Sequence, residues 1–207
     1  MLRIVSRFQN FAHRAMQRFA LSVVAVLSFG ISSNYAFGQS AEQSRKLARL
    51  EATYISHLTK YVQWNRDTAS NELKVIVHGN DQFKFEETLE YVMKISGGGK
   101  KARILHFADT QGEEALVEAK KGFNYLILLK ESSIMPQQLA GMEKLGVIVV
   151  HGQDFQKFPG AQIGFEHSQN RVRLLIDRNA IGEKKNQISS RLADLKSAVK
   201  VVNKKSY

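Results

Sequence analysis

The sequence predicts an α/β protein in which a doubly wound, mostly parallel sheet ends in an antiparallel hairpin and a closing helix. Three observations predict it. Short apolar runs alternate with helical patterns at the spacing of β-α-β units. FNYLILL, from Phe123 to Leu129, is almost continuously apolar, as a central strand buried on both faces must be. From Ile163 to Ile176 two period-two segments follow one another, and a helical spacing closes the chain. The architecture expected is of the Rossmann-like or flavodoxin-like kind.

Taken in order, residues 40–64 carry Ser40 and Gln43 at capping-box spacing, followed by Leu47, Leu50, Tyr54, Leu58 and Tyr61 or Val62 at intervals of three and four, which predicts a helix. Leu73–Val77 is a β-branched run leading into His78-Gly79-Asn80-Asp81, a strand followed by a helix start. Phe83–Ile95 reads as that helix, with Phe83, Leu89, Val92 and Phe85 inward. After Gly97-Gly98-Gly99 comes the strand Ala102–Phe107. Thr110 and Glu113 form a second capping box, with Lys120 and Lys121 closing the helix where its dipole favours cations. Pro136 opens a short helix to Lys144, and Gly146–Val150 supplies a fourth strand.

In the closing stretch, Ile163, Phe165 and His167 alternate with polar or small residues, as do Val172, Leu174 and Ile176. If the apolar faces coincide across an antiparallel ladder, His167 stands opposite Val172 and Glu166 opposite Arg173, with a turn at Gln169-Asn170. The register pairs opposite charges. Ile188, Leu192, Leu195 and Val199 then mark one buried stripe of a terminal helix.

Arg3, Arg7, Arg14 and Arg18 precede an apolar run of 13 residues, Phe19–Ile31, and a small, polar exit ending near Gly38. A membrane span needs about 20 apolar residues, so residues 1–38 read as a secretory signal peptide and the destination as the periplasm. Residues 39–207 are then one domain's length, enough to form a core without staples. The chain has no cysteine, which excludes thiol chemistry and zinc-thiolate sites. Without the four N-terminal arginines, 26 basic residues face 19 acidic ones. From Gln39 to Asn170 the two balance at 16 each; from Arg171 to Lys205 there are ten basic against three acidic, so the excess lies in the closing stretch.

Candidate sites are few. The triple glycine with Lys100 and Lys101 follows a helix and opens a strand, the reverse of a phosphate loop. His-x-x-Asp occurs at His78/Asp81, His106/Asp109 and His151/Asp154, each His ending a predicted strand. Open α/β sheets collect ligands at that edge, so His78, His106 and His151 are an alternative metal set. The plainer account, Asp as a helix cap and strands about 4.8 Å apart that need not converge on one ion, outweighs it, and no metal or cofactor is expected. No Gly-x-Ser-x-Gly elbow or His-Glu-x-x-His helix is present, and Glu86/Glu87 and Glu113/Glu114 read as solvated helix faces, so no catalytic residue is expected. Export makes nucleic acid an unsuitable partner for the basic segment. A protein's acidic patch or an anionic membrane fits better, with Arg171, Arg173, Arg191 and Lys196 as the docking candidates, and homodimerisation stays open.

Tyr54-Ile55, Leu58, Tyr61-Val62 and Trp64, then VIVHGNDQF at Val75–Phe83, VIVVHGQDF at Val147–Phe155, and IGFEHSQNRVRLLIDRNAIGEKKNQISSRLADLKSAV together resemble the YfiR-like periplasmic family. Asn65 stands where that family often has Pro, and the cysteines many members carry are absent. The resemblance implies a non-enzymatic exported regulator that restrains a membrane-bound diguanylate cyclase through its periplasmic part, and with it cyclic-di-GMP signalling and biofilm formation. A periplasmic small-ligand or metal-binding protein using the carboxyl edge of the sheet is the alternative.

Overall fold

The structure, a computed structural model, describes residues 41–64, 72–96, 101–152, 155–168, 171–181 and 187–204. The expected signal peptide, the triple glycine, the hairpin turn at Gln169-Asn170 and Asp154 lie outside them. The chain divides into two compact units, Met1–Ser44 and Arg45–Tyr207. Of the first, the described residues 41–44 are helical. No helix among the described residues is long and apolar enough to cross a membrane.

The elements are α1 (41–58), β1 (Val62–Gln63), β2 (Glu72–His78), α2 (Phe85–Ser96), β3 (Lys101–Phe107), α3 (Gly112–Ala119), β4 (Tyr125–Leu128), β5 (Ile148–His151), β6 (Ile163–Ser168), β7 (Arg171–Asp177), β8 (Gln187–Ile188) and β9 (Val199–Val202). Seven strands form one sheet in the order β3-β2-β4-β5-β6-β7-β9, parallel except for the β6–β7 pair. β1 and β8 form a separate antiparallel pair. The mixed α/β class and the mostly parallel sheet are those expected from the alternation of apolar runs with helical patterns.

Both faces of the sheet are covered. On one, Ala52, Ile55 and Leu58 of α1 and Phe85, Leu89 and Met93 of α2 pack against Val75, Val77, Tyr125, Ile127 and Val150. On the other, Ala115, Leu116 and Ala119 of α3 pack with Ile76, Leu126, Leu128, Val149 and Phe155. Burial on both sides is why β4 reads as an unbroken apolar run. Close approach is built in at Gly164 of β6, where a Cβ would overlap the Phe155 ring. The hairpin register agrees with the charge argument: His167 opposes Val172, and Glu166 opposes Arg173.

Helix starts follow the orphan-amide rule. Asp81 accepts hydrogen bonds from the Phe85 and Glu86 amides at 2.6 and 2.9 Å, capping α2. At α3 the expected Thr110–Glu113 box is replaced: Gln111 Oε1 accepts from the Ala108 amide at 3.0 Å, and Glu113 accepts from Gln138. The helix expected from Pro136 is two 3₁₀ turns, Pro136–Leu139 and Met142–Leu145, separated by Ala140, where the first turn ends, and by Gly141 at φ +84°, a left-handed conformation that precedes the second.

The closing helix is a correction. Residues 187–188 form β8, Ser190–Leu192 a 3₁₀ turn capped by the Ser189 hydroxyl, and Val199–Val202 an edge strand parallel to β7. Ile188, Leu192 and Val199 are buried as the helical spacing required, but each through a different element, and Leu195 is 42% exposed. Val199, Val201 and Val202 are β-branched, and the free edge of β7 offers them a ladder.

Candidate functional site

In α/β sheets, ligands gather at the carboxyl edge where strand order reverses. Here the chain leaves β2 for β3 on one side and returns to β4 on the other, so that point lies between β2 and β4. His78 ends β2 there with its side chain fully buried. Its Nδ1 is 2.7 Å from Ser132 Oγ in the loop after β4. Ser132 Oγ also accepts from the Ile134 amide at 3.3 Å. No group completes hydrogen-bond geometry to Nε2 among the described residues. Burial lowers the His78 pKa below its usual value, opposed by the Asp109 carboxylate and carbonyl.

Ser132, His78 and Asp109 are the residue types of a hydrolase triad, but the imidazole at their centre is fully buried. Ser132 Oγ meets the ring at Nδ1, and Asp109 acts on it electrostatically. The crevice is stitched shut as well. Asn80 and Gln82, after β2, donate to Glu131 after β4 at 3.2 and 3.3 Å, and Gly112 at the start of α3 comes so close that a Cβ would sit 3.3 Å from Ile134 Cγ1. The cluster ties three loops together.

Nor do the three histidines converge. In the β2–β3 register His78 pairs with Phe107 and Val77 with His106, so His106 projects from the opposite face. Its Nε2 bonds the Gly79 carbonyl at 2.8 Å, and its Nδ1 lies 3.5 Å from Glu86. His151 shares the face of His78 but is two strands away across Leu128, ~10 Å by strand spacing. It stacks on Phe158 with ring centroids 3.8 Å apart. Among the described residues no three His, Asp or Glu side chains are grouped to hold a metal.

An open groove lies farther along the same edge, where α1 crosses the β6–β7 hairpin. Leu50, Tyr54, His167, Arg171, Arg173 and Ser197 line it. Beside it Glu51 of α1 accepts a 2.6 Å hydrogen bond from His167 Nε2. Burial raises the Glu51 pKa, opposed by that hydrogen bond and the histidine's charge. Tyr54 donates to the Val172 carbonyl at 3.0 Å, fixing the helix on the hairpin. Glu166 pairs with Lys200 at 2.7 Å and with Arg173 at 3.8 Å, whereas Arg171 meets no carboxylate among the described residues. Of the expected docking residues, Arg171 and Arg173 share this groove, Lys196 adjoins Ser197 in the chain, and Arg191 does not line it.

The matching stretch in comparisons with known proteins spans these features: a family model described as YfiR/HmsC-like matches residues 48–196. The chain belongs to the YfiR/HmsC-like family. That span runs from α1, with Glu51, through the buried His78 and the hairpin to Lys196. No curated protein matches the chain.

Proposed function

We propose that this YfiR/HmsC-like protein is a non-enzymatic periplasmic regulator, exported by residues 1–38, that restrains an inner-membrane diguanylate cyclase and thereby lowers cyclic-di-GMP and biofilm formation. The observation that carries this reading is the family match over residues 48–196. The fully buried His78 at the switch point agrees with a protein that acts by binding. Such a regulator works by differential affinity for two states of its partner, holding the cyclase in the state it prefers. The exposed arginines of the hairpin groove, Arg171 and Arg173, with Lys196, are proposed as part of its contact surface. Deleting the gene is expected to raise cellular cyclic-di-GMP and surface attachment, and crosslinking in cells to join the protein to an inner-membrane partner. Unchanged nucleotide together with no crosslink overturns the reading.

The hairpin groove favours a second reading. Arg171 and His167 converge on an open space at the carboxyl edge of the sheet, which suits a small anionic ligand. A ligand binder would gain thermal stability with ligand concentration.

A further inference from the structure

Across α1 from the hairpin, a second groove runs between α1 and α2. Arg45, Arg49 and Thr53 of α1 form one wall, and Tyr91 and Lys94 of α2 stand on the other. Two large apolar side chains are left in solvent: Tyr91, in the groove, is 65% exposed, and Ile95, one turn later on the same helix and just beyond the groove's lining, 66%. Neither faces the core, which α2 meets through Phe85, Leu89 and Met93. The charges beside them are unevenly matched. Lys84 pairs with Glu87 at 3.0 Å, but Arg45, Arg49 and Lys94 meet no carboxylate among the described residues, leaving three cations against Glu90.

Tyrosine and arginine are the residues that dominate protein interfaces, and a channel between two helices is the receptor half of helix-in-groove recognition. We propose that the α1–α2 groove receives an amphipathic, acidic helix of the protein's inner-membrane partner, its apolar stripe on Tyr91 and Ile95 and its carboxylates against Arg45, Arg49 and Lys94. This rests on the regulator reading above and names the surface and the chemistry of the contact. The occupant is a helix because the site is a concave channel between two helices, and it is an acidic one because Arg45, Arg49 and Lys94 leave the walls cationic. A membrane surface fits less well, since a bilayer engages convex apolar protrusions and Glu90 lies beside Tyr91.

The test uses the full-length chain in its own cells, with the photo-crosslinking residue benzoylphenylalanine placed singly at positions 91, 95 and 171. Adducts are mapped by mass spectrometry. The expected result is that positions 91 and 95 crosslink to an acidic helical segment of an inner-membrane protein. Arg49→Glu is expected to abolish those adducts, and replacing an acid of the partner helix by Lys to restore them. Tyr91→Ala with Ile95→Ser is expected to weaken partner binding about thirtyfold while the melting temperature holds, because both side chains are exposed. Lipid adducts, adducts to a second copy of this chain, or no adducts from 91 and 95 overturn the proposal. If position 171 alone reaches an inner-membrane cyclase, the groove assignment falls and the regulator reading stands. If 91 and 95 reach an acidic helix of a protein unrelated to cyclic-di-GMP, the groove assignment stands and the regulator reading falls.

Discussion

Glu51 and His167 are 116 residues apart in the chain and 2.6 Å apart in the fold, joining α1 to the end of β6. Removing one partner of such a pair leaves the other desolvated, so His167→Ala is expected to cost about 1–3 kcal/mol at neutral pH. Glu51→Gln, which keeps the shape and removes the charge, is expected to cost less. Because burial raises the Glu51 pKa, the folded protein takes up this proton before the unfolded chain does. Stability from this group therefore rises as pH falls through the folded pKa towards 4.5. The Glu51→Gln defect is expected to grow as pH falls from neutrality towards 4.5 in chemical denaturation, and a defect that shrinks would contradict the assignment.

His78 has the opposite sign. Its folded pKa lies below the ordinary 6.5, so its contribution is complete above that value and is lost as pH falls, when the unfolded chain binds the proton first. The wild type is expected to lose stability from this group at a rate approaching 1.4 kcal/mol per pH unit below about pH 6.5. His78→Asn is expected to be less stable at pH 7.5 and to show a flatter acid slope. Equal slopes in the two proteins would show that His78 is not the group titrating.

These two histidines mark where the sequence was readable and where it was not. Strands β2, β4 and β5 announce themselves because both faces are buried, and the β6–β7 register follows from matching apolar faces and opposing charges. Parallel neighbours leave no such signal. Whether His78 shares a face with His106 depends on the parity of one register, and pairing His78 with Phe107 turns His106 away. Helical spacing misled at the C-terminus because Ile188, Leu192 and Val199 satisfy burial equally well as parts of a strand, a turn and a second strand. The contact of Glu51 with His167 has no local pattern at all, since only the finished fold brings α1 across the hairpin.

Gly164 is expected to be intolerant of a side chain. Its β6 position lies under Phe155, which is 2% exposed and cannot move outward without opening the core. Gly164→Ala is expected to cost about 1–3 kcal/mol as overpacking. Combining it with Phe155→Ala, which removes the Cγ and ring atoms that the new methyl would meet, is expected to cost less than the sum of the single changes, because both act on one contact. Additive costs in denaturant titrations would separate the two sites.

Arg171 and Arg173 differ in what they leave behind. Arg173 contributes to the Glu166–Lys200 cluster at 3.8 Å, a long and solvent-screened pair, and Arg171 meets no carboxylate among the described residues. Arg171→Glu is expected to change stability by less than about 0.5 kcal/mol. If the hairpin rim contributes to regulation, that variant nevertheless raises cellular cyclic-di-GMP. A folded Arg171→Glu protein with wild-type regulation removes this residue from the contact surface.

Lys204 follows β9 and holds the β5–β6 crossover. Its Nζ donates to the Ala161 carbonyl at 2.7 Å and to the Phe158 carbonyl, and lies 3.9 Å from the centre of the Phe155 ring. The carbonyls and the ring face favour the cation, but no carboxylate pairs with it among the described residues, and Asp177 acts only at longer range. Burial prevails and pushes its pKa down to about 8. The unfolded chain therefore holds this proton up to 10.5 while the folded protein releases it from about 8, so stability from this group rises with pH across that interval. Lys204→Met retains most of the apolar stem and leaves the two carbonyls without their donor. It is expected to be destabilised at every pH, and the gap from wild type is expected to widen between pH 8 and pH 10. Taking the difference between the two proteins cancels the titration of the other lysines. A gap that narrows over this range would mean that the carbonyls and the Phe155 ring, rather than burial, set the proton affinity of Lys204.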